Sequence, residues 1–162
     1  MKSKVLLILI ITVLFTSGRA LSATTHQYVF WKGLEADKCG VAWLIKRFVD
    51  KEAVFVFVDK GTPILSGIPM DTPDSKIQRK LNLTAYEVAL TEYKLTHPAL
   101  KQIGKIIWDI EINKWDKKVT RESPGIALII NGLDAKESNP GKALEQSMII
   151  YDSLFVGLGG TF

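Results

Sequence analysis

Most of the residues in this sequence that could do chemistry are acids. The stretch "DKCGVAWLIKRFVDKEAVFVFVD", Asp37 to Asp59, opens with a carboxylate, an ammonium and the chain's single thiol, Cys39, just ahead of an apolar helical pattern. Further on, Asp109 and Glu111 in "WDIEINKWDKK" fall near the end of another helical pattern, where acids oppose the helix dipole and need another reason to be there. Oxygen-rich sites suit hard cations such as magnesium, calcium or manganese, so Asp37, Asp109 and Glu111 form a candidate metal set, with Glu122 and Asp152 as outer candidates. If the three converge, mutual repulsion raises at least one pKa, and a bound cation or Arg47 is needed to offset it. Local readings compete: Asp37 as the N-cap of its own helix, and Asp109 and Glu111 as a solvated helix end.

Other chemistries find little material. There is no phosphate-binding loop, G-x-S-x-G elbow, H-E-x-x-H or paired C-x-x-C. His26 falls in a mobile lead and His97, just before Pro98, reads as a helix cap, which speaks against a histidine-based zinc or iron centre. A lone cysteine cannot close an intramolecular disulfide, and in apolar company Cys39 reads as a buried, inert thiol.

These residues need elements to position them. "HQYVFWK" reads as a strand, and Val41, Leu44, Ile45, Phe48 and Val49 share one helix face. "AVFVFV" reads as a strand buried on both sides, because no polar residue alternates with the apolar ones. Strand, helix and strand make a right-handed β-α-β crossover, with Asp37 and Lys38 at the edge where open α/β sheets place ligands. Residues 61–80, with three prolines and two glycines, read as a long irregular loop. A helix then starts at a capping box, Thr84 with Glu87, and runs to about Lys94. A second begins at Pro98 with a stripe of Leu100, Ile103, Ile107 and Ile110, and a short third runs from Ser123 to a stop at Gly132. The last starts at Asn139 and carries Leu144, Met148, Tyr151 and Phe155 on one face. The expected fold is α+β, a helix-rich single domain with a small sheet containing a β-α-β unit. Four tryptophans suggest a large packed core.

The first residues, "MKSKVLLILIITVLFTSGRALSA", pass from a basic start through an apolar run to small residues, the layout of a secretory signal peptide over 1–23, with cleavage after Ser22 or Ala23. The apolar run is short for a membrane span, so no stable membrane anchor is expected after cleavage and the mature chain is placed in the periplasm or outside the cell. Removing Lys2, Lys4 and Arg19 lowers the net charge from +4 to about +1, which takes away most of the electrostatic case for a nucleic-acid partner.

"ADKCGVAWLIKRFVDKEAVFVFV" resembles the opening of the C-terminal domain of the chromate-resistance ChrB family, with a pattern near D-R-[IV]-A-C-P-W-L-I-R-R-F-[IV]-D. Asp37, Trp43, Leu44, Ile45, Arg47, Phe48 and Asp50 fall on family positions. "GIPMDTPDSKIQ" keeps Asp71 and Pro73 of the following loop. "LTHPAL", "IIWDIEI", "ESPGIALIINGL" and "LEQSMIIYDSLF" continue in the family's order, so residues 24–162 read as one such domain. The departures concern ligands. A family histidine pair falls on Arg79 and Lys80, another histidine falls on Trp108, and the family cysteines fall on Val41 and Thr84.

The resemblance implies an exported chromate-resistance domain that binds or senses an oxyanion or a metal ion. In the oxyanion form, Lys38 beside a helix N-terminus, with Arg47, Arg79 and Lys80, holds a dianion such as chromate around Asp37. Two alternatives stand beside it. One is an enzyme with a divalent metal on Asp37, Asp109 and Glu111 that activates water. The other is a periplasmic interaction module that has lost the family's histidine site. Whether any catalysis occurs, and whether the cofactor is a divalent metal ion, are left open by these residues.

Overall fold

The computed structural model describes residues 26–162; the leader expected over 1–23 lies outside them. The aromatic and branched run Gln27–Trp31 forms β1, and Val54–Val58 forms β2 beside it in parallel, from Gln27 opposite Val54 to Trp31 opposite Val58. The crossover is α1, Ala36–Leu44, continued by a π-helical turn, Ile45–Val49. This is the expected β-α-β unit. A two-residue strand β3, Ile68–Pro69, pairs in parallel with the other edge of β1, so the sheet order is β2-β1-β3. It interrupts the stretch read as wholly irregular, and its proline, having no amide hydrogen, is tolerated because the strand is an edge.

The expectation that β2 is buried on both sides fails. β2 is the opposite edge strand; Val54 is 57% exposed and no residue of the strand is fully buried. Its branched and aromatic residues reflect the preference of a pleated surface for such side chains, and Phe55 and Phe57 pack on Phe30. His26 is likewise no loose lead: its ring and the Tyr28 hydroxyl both meet the Asp50 carboxylate, at 2.8 and 3.2 Å.

Four further helices follow: α2 Ala85–Glu92, α3 Pro98–Glu111, α4 Ser123–Lys136 and α5 Pro140–Gly157. Their starts follow local chemistry. The Thr84 hydroxyl and Glu87 carboxylate form the reciprocal capping box, His97 Nδ1 accepts from the Ala99 amide, and Asn139 accepts from the amides of Gly141 and Lys142. α4 does not stop at Gly132 but runs on to Lys136; Gly132 sits on the open side of the helix, where its lost propensity of about 1 kcal/mol is tolerated once the opposite face is packed.

The core is organised around α1, all nine residues of which are buried. Gly40 permits this: a Cβ there would stand 2.5 Å from Ile107 Cδ1 and 3.0 Å from Tyr86 Cδ2, so α2 and α3 press on bare backbone. Trp43 packs against Tyr151 and Phe155 of α5, with ring centroids at 5.8 and 5.7 Å. Trp43 is fully buried, whereas Trp115 is 95% exposed, so the tryptophans do not all serve the core. Among the described residues no helix is long and apolar enough to cross a membrane.

Candidate functional site

Four carboxylates and one guanidinium meet where β1 hands over to α1. Asp37, in the first turn of α1, has no exposed surface, and its two oxygens each accept a backbone hydrogen bond from the start of α2, Tyr86 N to Oδ1 and Ala85 N to Oδ2, both 2.8 Å. It therefore caps a neighbouring helix and not its own, whose N-cap is Glu35. Glu111, the last residue of α3, does the same for α1: its Oε1 accepts from the Ala36 amide at 3.1 Å. Asp71 lies in the loop after β3 with φ +50° and accepts from the Arg79 amide at 3.3 Å.

The Arg79 side chain reaches into this group from the loop before α2. It meets Glu35 at 3.2 Å, Glu111 at 3.3 Å and Asp37 at 3.4 Å. These are long for a charge-assisted contact. By comparison, Arg47 meets Asp152 in a two-pronged pair at 2.9 and 2.7 Å. One guanidinium divided among several acids satisfies none of them tightly. Burial accordingly raises the Asp37 pKa to about 7, helped by the charge of Asp71 and opposed by the two α2 amides and Arg79. Burial raises Asp71 as well. For Arg79, burial pulls the pKa down, but the charges of Asp37, Glu111, Asp71 and Glu35 outweigh it and the guanidinium is held charged.

The expected metal set is divided by the structure. Asp37 and Glu111 come together through Arg79, but Asp109 belongs to a different network. Two residues apart on one helix, Asp109 and Glu111 point to different sides. Asp109 is fully buried and accepts from Asn113 Nδ2, the amides of Val119 and Thr120, and the hydroxyls of Thr120 and Ser123, at 2.7 to 3.2 Å. Burial acts to raise its pKa, but these hydrogen bonds prevail and hold it well below the usual carboxylate range. Its work is to pin residues 113–123 and the start of α4 to α3. Among the described residues no group of three His, Cys, Asp or Glu side chains is placed to hold a metal ion.

The expected anion ligands are distributed in the same way. Lys38 turns inward and donates to the carbonyls of Trp31 at 2.8 Å and of Gly33. Arg47 is committed to Asp152, which also accepts from the Trp43 indole at 2.7 Å, so neither is part of the site. Lys80 is exposed, its amide bonded to the Leu83 carbonyl at 2.9 Å. Glu122 is the N-cap of α4, on the Asp109 side. Cys39 is fully buried, and burial pushes its thiol up to about 12. A cavity of about 660 Å³ lined by Lys32, Phe57, Asp134 and Asn139 lies elsewhere and touches none of the cluster acids.

Sequence reasoning missed Glu35 and Asp71 as members of the cluster. Asp71 stood on a retained family position, and that was the available signal. The family model described as ChrB, C-terminal domain, matches residues 28–157, a span that contains the whole cluster. Neither the curated proteins nor the solved structures yield a match.

Proposed function

Since the chain belongs to the ChrB C-terminal domain family, a chromate-resistance-related domain, we propose that it is a binding or sensing module for a hard cation and that the cluster of Glu35, Asp37, Asp71 and Glu111 is the site. The observation that carries this reading is the charge imbalance: three carboxylates share the single guanidinium of Arg79 at 3.2 to 3.4 Å, and a fourth, Asp71, meets only the Arg79 backbone amide. Carboxylate oxygens suit a hard cation, and a field of this sign opposes a dianion. Of the other positive groups that an oxyanion would need, Lys38 is spent on backbone carbonyls and Arg47 on Asp152, which leaves the exposed Lys80.

Arg79 stands where the family pattern carries a histidine pair, so a permanent charge occupies the place of a titratable ligand. Its side chain is 30% exposed while that of Asp37 is wholly enclosed, which makes the guanidinium the movable member. With Arg79 in place no three acids among the described residues are placed to hold a metal ion, so a cation would enter by displacing the guanidinium and drawing the carboxylates together. One specific observation favours a second reading, an interaction module in which the cluster is only structural: Asp37 and Glu111 are both engaged as caps of neighbouring helices.

Equilibrium dialysis of the purified chain against manganese and, separately, chromate distinguishes these readings. Manganese should be retained by the wild type, at least tenfold more tightly by Arg79→Ala and more weakly by Glu111→Gln, with circular dichroism confirming the fold. Chromate retention lost in Arg79→Ala would restore the oxyanion reading. Manganese binding in neither the wild type nor Arg79→Ala would leave the interaction module.

A further inference from the structure

The loop between α3 and α4 combines a rigid base with an apolar, basic tip. Trp115 is 95% exposed and Val119 71%, and the surrounding Lys114, Lys117 and Arg121 are also exposed. Singly exposed apolar side chains are ordinary on a protein surface, and a slack loop carries one to no consequence. This loop is not slack. The buried Asp109 carboxylate holds the amides of Val119 and Thr120, Asn113 Nδ2 donates to the Lys117 carbonyl at 3.1 Å, and Lys118 Nζ donates to the carbonyls of Asp109, at 2.6 Å, and Asn113. The indole is therefore presented outward by a backbone that cannot easily fold it back.

We propose that this loop is a membrane-surface contact, in which Trp115 and Val119 enter the headgroup region of an anionic bilayer while Lys114, Lys117 and Arg121 meet its lipid phosphates. Tryptophan is the side chain best suited to that boundary, being a broad apolar ring with one polar N–H, and flanking lysines and arginines supply attraction to an anionic leaflet. Charge complementarity favours this partner: Lys114, Lys117, Lys118 and Arg121 are exposed in this loop, against the exposed Asp116 and the half-buried Glu122. A nucleic acid would draw on the same charges, but it calls for an extended basic track or several stacking aromatics, and this loop offers one indole.

The test uses the full chain and vesicles with brominated acyl chains, which quench only tryptophans that reach the bilayer. Residues 1–25 contain no tryptophan, so quenching does not report their own affinity for lipid. Quenching is expected with phosphatidylglycerol-containing vesicles, lost in Trp115→Phe, and reduced at least fivefold in the Lys114→Glu, Lys117→Glu double variant, by raised salt, and on neutral phosphatidylcholine. Unchanged quenching in Trp115→Phe, equal quenching on neutral vesicles, or vesicle binding without quenching would each overturn the proposal. So would a Trp115 fluorescence response to duplex DNA in the absence of any response to anionic vesicles.

Discussion

Asp37 is subject to two opposed demands. Two α2 amides and a guanidinium favour its charged form, while complete burial beside Asp71 favours the neutral one, and the second wins, raising its pKa to about 7. Because the folded state holds this proton more tightly than the unfolded chain, the Asp37 contribution to stability is full below about pH 4 and is lost as pH rises to about 7, an effect of at most roughly 4 kcal/mol. Asp71 shifts in the same direction. Asp109 shifts in the opposite one, so its contribution is present above about pH 4 and fades as pH falls, outside the window of interest. Asp37→Asn places an amide nitrogen against backbone donors and lowers stability at every pH, but it removes the titration. Thermal melts from pH 5 to 8 should therefore show the deficit of Asp37→Asn shrinking as pH rises. A constant deficit across that range would mean that Asp37 stays ionised.

At the scale of elements, the fold turns on how closely α1 can be approached. Gly40 has Ile107 and Tyr86 at its bare Cα, whereas Gly132 in α4 faces open space. Replacing each by alanine gains about 1 kcal/mol of helix propensity. At Gly40 that gain is outweighed by overpacking, which costs about 1–3 kcal/mol in a filled core. Denaturant titration should find Gly132→Ala stabilised by about 1 kcal/mol and Gly40→Ala destabilised by up to about 2 kcal/mol. Equal effects would show that the α1, α2 and α3 contact relaxes without cost.

At the scale of the whole molecule, the described residues share one core, in which α1 touches α2, α3, α4 and α5. Cys39 lies inside it with no exposed surface and with its thiol held protonated at neutral pH. Labelling by a thiol reagent should therefore need global opening: slow in buffer, accelerating with denaturant with the slope of the unfolding transition, and leaving Cys39→Ser folded. Fast modification of the native chain would place a local opening at α1.

Some of this architecture was legible because its causes are local. Thr84 with Glu87, His97 before Pro98, and Asn139 before Pro140 start helices through hydrogen bonds a few residues long, and the apolar spacing of α3 and α5 names most of their buried faces. The single face read for α1 does not hold, since α1 is buried on every side and Val49, in the turn that continues it, is exposed. Residues 61–80 hid β3 because its pairing is with β1, forty residues earlier, and β2 read as buried because strand composition does not say how many strands lie beyond it. The site divides in the same manner. Asp37 and Glu111 were visible as acids in awkward places. Their partnership with Arg79, the cross-helix capping that joins α1 to α2 and α3, and the exclusion of Asp109 could be decided only in three dimensions, because each depends on which turn of one helix faces the end of another. Residue type told where charge is unusual; tertiary packing decided which charges share one another's field.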